Sequence, residues 1–187
     1  SVSEEITGFY IKRRVYFLGR WIHHGGYYPT WILRLFRKGK AWYEEREVDE
    51  HLVLREGRAG RLKHDFVDEN KNGMEAWITK QNSYSSKEAR ERLKKSEGKG
   101  IEARLGGEQV ERKRWLKNNF YNKLPLFFRA YLYFFYRYFI RLGFLDGKEG
   151  LVFHVLQGWW HQFMIDSKIY ELKKTKTHEN SSHNRRG

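Results

Sequence analysis

The side chains with the most chemistry to offer are concentrated in residues 25–54, GGYYPTWILRLFRKGKAWYEEREVDEHLVL. Residues 48–54 read as a strand, along which side chains alternate between faces. Val48, Glu50, Leu52 and Leu54 then share one face, and Asp49, His51 and Val53 take the other. A carboxylate on an apolar face holds its proton more tightly than one in water, and its strand fixes its aim; a general base can use both properties. Arg34 is the matching cation, set between Ile32 and Phe36 on one face of a strand predicted over 28–36. A buried charge needs a partner, because breaking such a pair costs on the order of 3–5 kcal/mol. Arg34 and Glu50 therefore either neutralise each other or hold groups of a ligand.

Several further elements must position these residues. Residues 7–18 alternate and are rich in aromatic and β-branched side chains, which predicts a strand, with Lys12, Arg13 and Arg14 marking a section that faces solvent or a ligand. Residues 19–28 form a loop containing His23, His24, Gly25 and Gly26, and residues 57–68 read as a turn and a further short strand. The connections look too short for helical crossovers, so the pairing is expected to be antiparallel. After the break at Asn72 and Gly73, a helix is predicted over 74–93, with Met74, Trp77 and Ile78 on its apolar turn. Residues 94–110 hold four glycines among many charges and read as a flexible linker.

The last third changes character. A helix over 124–142, LPLFFRAYLYFFYRYFIRL, has Pro125 in its first turn and Arg129, Tyr133, Arg137 and Arg141 at every fourth position. A second helix over 148–172 carries Trp159 and Trp160. At ~1.5 Å per residue the first is about 28 Å long, just enough to span a bilayer. Each arginine would cost roughly 2.5–3.5 kcal/mol at the bilayer centre, which argues against a span. The pattern predicts an amphipathic helical hairpin lying in the interface of an anionic membrane surface. Arg129, Arg137 and Arg141 would reach to headgroups, with Trp159 and Trp160 beside them. The polar residues 173–187 read as a disordered tail.

Composition narrows the classes. The 187 residues include no cysteine, so a disulfide framework and thiolate metal sites are excluded. A hydrophobic fraction of 40% suffices for a core. The formal charge of +14, with 17% aromatic residues, favours phosphate-bearing ligands, nucleic acid or acidic lipid headgroups. The N-terminal SVSEEITG lacks the apolar region of a signal peptide.

Three runs, YFLGRWIHHGGYYPTWILRLFRKGKAWYEEREVDEHL, GRLKHDF and RLGFLDGKEGLVF, resemble the C-terminal half of family 2 glycosyltransferases of bacterial envelope and exopolysaccharide synthesis. The resemblance extends from about Gly8 to about Leu172. It implies an α+β fold: part of a GT-A-type mixed sheet with one helix over 1–93, then membrane-associating helices over 111–172. It also implies inverting transfer of a sugar from a nucleotide sugar to a lipid-linked saccharide, at the cytoplasmic face of the bacterial inner membrane. Glu50 would be the base that deprotonates the acceptor hydroxyl. Many relatives carry His-Glu where this chain has Asp49 and Glu50, so either carboxylate is a candidate. Arg34 and Arg37 would contact donor or acceptor phosphates, His24, Gly25 and Gly26 a phosphate or sugar, and His51 a metal. The divalent Mg or Mn ion would be held largely by the nucleotide-binding half, whose Asp-x-Asp motif does not precede Tyr10 here. Two alternatives stand beside this one: a basic, aromatic nucleic-acid module and a non-catalytic membrane scaffold. The aromatics follow a helical pattern rather than a strand platform, and no zinc or RNA-binding motif is present, so nucleic acid is not an expected partner.

Overall fold

The computed structural model describes residues 5–43, 52–93, 115–116 and 121–183, the side chains of 178–183 excepted. Asp49, Glu50 and His51 lie outside the described residues, as does the linker expected over 94–110.

Strand β1 (Ile6–Phe17) organises the sheet. It turns through Leu18 and Gly19, with φ of 50° and 77°, into β2 (Arg20–Ile22). Two central residues of positive φ give the twist a two-residue hairpin needs. β3 (Thr30–Phe36) pairs antiparallel with Gly8 to Arg13, and β6 (Arg58–Glu69) runs parallel to β1 from Ile6 to Tyr16. Since β6 occupies one edge of β1 along most of its length, β2 and β3 must lie end to end on the other. β4 (Ala41–Tyr43) and β5 (Leu52–Leu54) form a separate antiparallel pair. The fold is mixed α and β, but the parallel β1–β6 pair corrects the expectation of antiparallel pairing throughout. The crossover between them runs, among the described residues, through strands β2 to β5 rather than through a helix.

The Lys12–Arg13–Arg14 interruption has a structural explanation. Asp65 on β6 accepts from Arg14 Nε at 2.7 Å and Tyr28 Oη at 2.9 Å, with Lys12 Nζ at 3.1 Å. Burial pushes the Asp65 carboxyl up, but the bonds from Arg14, Tyr28 and Lys12 outweigh it and hold the group below the usual carboxylate range. Arg13 points to the opposite face and meets Asp68 at 3.4 Å. On that face Phe17 and Ile22 join Trp77 and Phe153 in a core flanked by Val15, Tyr27, Met74, Leu156 and Trp160.

Helix α1 (Gly73–Leu93) starts where expected, behind a turn in which Asn72 N–H donates to the Asn70 side chain at 3.2 Å. Its Trp77 belongs to the sheet-side core, and its Ala89 packs with Ile165 and Ile169 in a second cluster. The aromatic stretch departs from prediction. Phe127 has a φ of 67°, so helix α2 (Phe128–Phe135) begins after Pro125 rather than around it, and Tyr136–Ile140 continues as a π-helical turn. A 3₁₀ turn, Gly143–Asp146, leads into α3 (Gly147–Phe153), a π-helical segment His154–Trp160 and α4 (His161–His183). The helix thus continues past Lys173 to His183, where the composition predicts a disordered tail. Ring contacts pair Phe127 with Phe163, Tyr131 with Trp159 and Tyr138 with His154, so the two helical stretches pack antiparallel. No helix among the described residues is long and apolar enough to cross a membrane.

Two of the three predicted membrane-facing arginines point inward. Arg129 is 3% exposed and Arg137 9% exposed. Asp166 on α4 accepts from Arg129 Nε at 2.8 Å and from the Phe127 N–H at 2.8 Å. The same carboxylate thus neutralises the arginine and satisfies a donor at the start of α2, where a negative charge also suits the helix dipole. Arg137 donates through Nε to the Gly25 carbonyl at 2.8 Å and through Nη1 to Tyr133 Oη at 2.5 Å. Tyr133 lies within the stripe, but Asp166 and Gly25 are 37 and 112 positions from the arginines they hold, so the stripe read alone looks unpaired.

Candidate functional site

The loop between β2 and β3 docks onto the turn between the two helical stretches. His24 is fixed twice by Asp146: its backbone N–H donates to Oδ2 at 2.9 Å, and its Nδ1 lies 2.6 Å from Oδ1. Gly25 N–H donates to the Arg141 carbonyl at 2.8 Å, while its own carbonyl receives Arg137. At φ +66°, a Cβ on Gly25 would stand 2.0 Å from His154 Cε1, so only glycine fits. The Arg137 guanidinium carbon lies 3.7 Å from the centroid of the Tyr27 ring, a close cation–π contact.

His154 is the electrostatic oddity of the junction. It is fully buried, and neither ring nitrogen has a hydrogen-bond partner among the described residues. Burial, with Arg137 nearby, pushes its pKa down to about 4, so it is neutral at physiological pH. A second cation beside Arg137 would have no carboxylate close enough to justify it except Asp146, which His24 already engages.

A cavity of about 1910 Å³ opens beside this junction. Its walls come from the β2–β3 loop, from α1 through Trp77, Lys80 and Tyr84, and from the aromatic helix through Leu132, Tyr133 and Arg137. Deeper in, Arg92 donates to Glu88 and Gln162, and Tyr121 also donates to Gln162. The Tyr121 hydroxyl is pushed well up by burial, so it stays a neutral donor.

Of the residues singled out by sequence, His24, Gly25 and Gly26 are brought together with Arg137 and Arg141. Arg34 and Arg37 are not. Arg34 is exposed on β3 and stacks on Phe66 at 5.3 Å from the ring centroid, while Leu33 takes the buried position. This corrects the expectation of a charge on the apolar face: the irregularity in β1–β3 pairing falls opposite Arg34, where the register shifts. Arg37 is exposed and donates to the Ile6 carbonyl at 3.2 Å, tying β3 to the start of β1. Trp160 packs against the sheet-side core, and Trp159 against Tyr131 and Phe163. Asp146 is legible in the sequence only as part of the RLGFLDG run that signals the turn. His154 had no signal beyond its type. Among the described residues no group of three or more His, Asp or Glu side chains could hold a metal ion, and His51 lies outside them.

No family model matches this chain, and no solved structure matches it.

Proposed function

We propose that this chain is the acceptor-side and membrane-docking portion of an inverting glycosyltransferase, its sheet belonging to a GT-A-type domain. It would work at the cytoplasmic face of a bacterial inner membrane, moving a sugar from a nucleotide sugar to a lipid-linked saccharide in envelope polysaccharide synthesis. The observation that carries the reading is the meeting of two sequence runs that resemble the family. His24 and Gly25 of the GRWIHHGGYYP run bond Asp146 and Arg141 of the RLGFLDG run, more than a hundred positions away. Residues that carry the likeness thus build one junction rather than scattered surface.

In the proposed reaction the acceptor hydroxyl oxygen attacks the anomeric carbon, and its proton passes to the Glu50 carboxylate. The bond from that carbon to the diphosphate oxygen breaks, and the nucleoside diphosphate leaves with the electron pair. Asp49, next in the chain, is the other candidate for the proton. The divalent metal implied by the resemblance would belong to the nucleotide-binding half, and the described residues form no site for it. The exposed apolar residues of the aromatic helix, Phe128, Tyr131, Phe135 and Phe139 among them, supply the surface that would rest on the membrane. The nucleic-acid alternative gains less, because Lys12 and Arg14, the cations interleaved with strand aromatics, are spent on Asp65.

The test is sugar transfer by a complete enzyme carrying this chain, with Glu50→Gln and Asp49→Asn compared against the parent. Loss of a general base should lower the rate by about 10²–10⁴-fold. Full activity in both variants would remove the base assignment.

A further inference from the structure

The charges around the large cavity do not cancel. Each acidic side chain lining it has a cationic neighbour: Asp68 has Arg13 at 3.4 Å, Glu69 has Lys71 at 3.8 Å and Glu88 has Arg92 at 2.9 Å. Three cations on the same lining, Arg137, Arg141 and Lys80, have no carboxylate partner among the described residues, and of these Arg137 is already held by the Gly25 carbonyl and the Tyr133 hydroxyl. Arg141 follows the π-helical turn directly, so it stands beside Ile140, which is 61% exposed, and before Leu142, 46% exposed. Its backbone carbonyl is held by Gly25, which fixes where the side chain starts. Leu132, Phe135, Tyr136 and Ile140 line the cavity and are also exposed, so one wall is continuous with the apolar outer surface of the helix.

We propose that this cavity binds a single phosphate-bearing lipid, with Arg141 on the phosphate and the hydrocarbon chain along the Leu132, Phe135, Tyr136 and Ile140 wall. A guanidinium beside apolar surface at the mouth of a cleft suits an amphiphilic anion: it can grip phosphate oxygens with two N–H groups while its neighbours receive the chain. Lys80, contributed to the lining by α1, adds positive charge without competing for a carboxylate. The inference rests on the transferase reading for the identity of the lipid, the carrier of the acceptor saccharide, and it moves the phosphate contact from Arg34 and Arg37 to Arg141.

The experiment measures binding of the full chain to phosphatidylcholine vesicles doped with a polyprenyl monophosphate, with uncharged polyprenol, or with phosphatidylglycerol at the same mole fraction. Polyprenyl phosphate should bind about tenfold or more tightly than polyprenol, the worth of one charge-assisted contact. Arg141→Gln should abolish that preference while leaving binding to polyprenol vesicles and the thermal midpoint unchanged, and Arg141→Lys should restore part of it. Soluble glycerol phosphate should fail to compete. Equal binding to phosphatidylglycerol would reduce the site to general surface charge, and effective competition by glycerol phosphate would reduce it to a free-phosphate site; either overturns the proposal, as does an unaltered preference in Arg141→Gln. If the preference is absent while Glu50→Gln still destroys transfer, the lipid site falls and the transferase reading stands. A preference that persists beside full transfer by both acid variants would keep the lipid site and remove the base assignment.

Discussion

Helix α1 and the aromatic helix α2 with its π-helical turn are both packed on one side only, yet they expose opposite chemistries. α1 buries Trp77 and Ala89 and exposes polar side chains such as Glu75, Lys80, Asn82 and Arg90, as a helix at a water boundary does. The aromatic helix buries Arg129 and Arg137 and exposes Phe128, Tyr131, Leu132, Phe135, Tyr136, Phe139 and Ile140. Its polar groups are satisfied inside by Asp166, Tyr133 and the Gly25 carbonyl. Hydrophobic burial alone would turn that helix over. The inversion persists because a buried, fully paired arginine is costly to unpair.

The strongest way to break this comparison is to remove the carboxylate that holds the inward arginine. Asp166→Ala strands Arg129 and also orphans the Phe127 N–H. A loss of about 3–5 kcal/mol is expected in urea unfolding. Glu75→Gln on the outer face of α1 should change stability by no more than about 0.5 kcal/mol. Comparable effects from the two substitutions would mean that the inversion is not held by internal pairing.

Acid should act next. His154 is neutral in the fold, with a pKa of about 4, and the unfolded chain returns it to its ordinary 6.5. Between those values the unfolded state binds the extra proton, so stability is fully present above pH 6.5 and falls as pH drops toward 4. The loss should approach roughly 3 kcal/mol at the bottom of that window. Asp65, held below its ordinary range, adds a further loss at lower pH, as acid protonates a carboxylate the fold needs ionised. Unfolding midpoints measured from pH 7 to pH 4 check the first effect, and His154→Gln should flatten the slope whatever it does to stability at pH 7. An unchanged slope would assign the acid sensitivity elsewhere.

Much of the sheet and α1 could be read from the chain because the determinants are local. Alternation marks β1 and β3, and the Asn72–Gly73 turn marks the start of α1. What local patterns do not carry is the direction in which a polar residue faces when its partner is far away. Arg129 and Arg137 look like a surface stripe until Asp166 and Gly25 are brought against them, and Arg34 looks buried until the pairing irregularity turns Leu33 inward instead. The parallel β1–β6 pair is not legible for the same reason, since it depends on where an excursion of several strands returns. His24, Gly25 and Gly26 were legible as a special loop from their types, but the docking onto Asp146 and Arg141 that makes them a junction was not.

The smallest expected effect on the fold is also the one that most sharply separates the two helices. Phe135 is 53% exposed, so Phe135→Ser removes little that the folded chain buries, and stability should move by no more than about 0.5 kcal/mol. If the outer surface meets a bilayer, the same change removes the exposed half of a phenyl group worth about 1.5–3 kcal/mol when wholly buried, and affinity for anionic vesicles should fall roughly four- to fifteenfold. Glu75→Gln on the exposed side of α1 is the control, since that side is polar and should leave vesicle affinity unchanged. Flotation or tryptophan fluorescence with phosphatidylglycerol vesicles provides the measurement. A Phe135→Ser chain that binds vesicles like the parent would mean that the aromatic surface is covered by protein rather than lipid, because either cover explains the exposed rings, but only a bilayer makes the effect depend on vesicles.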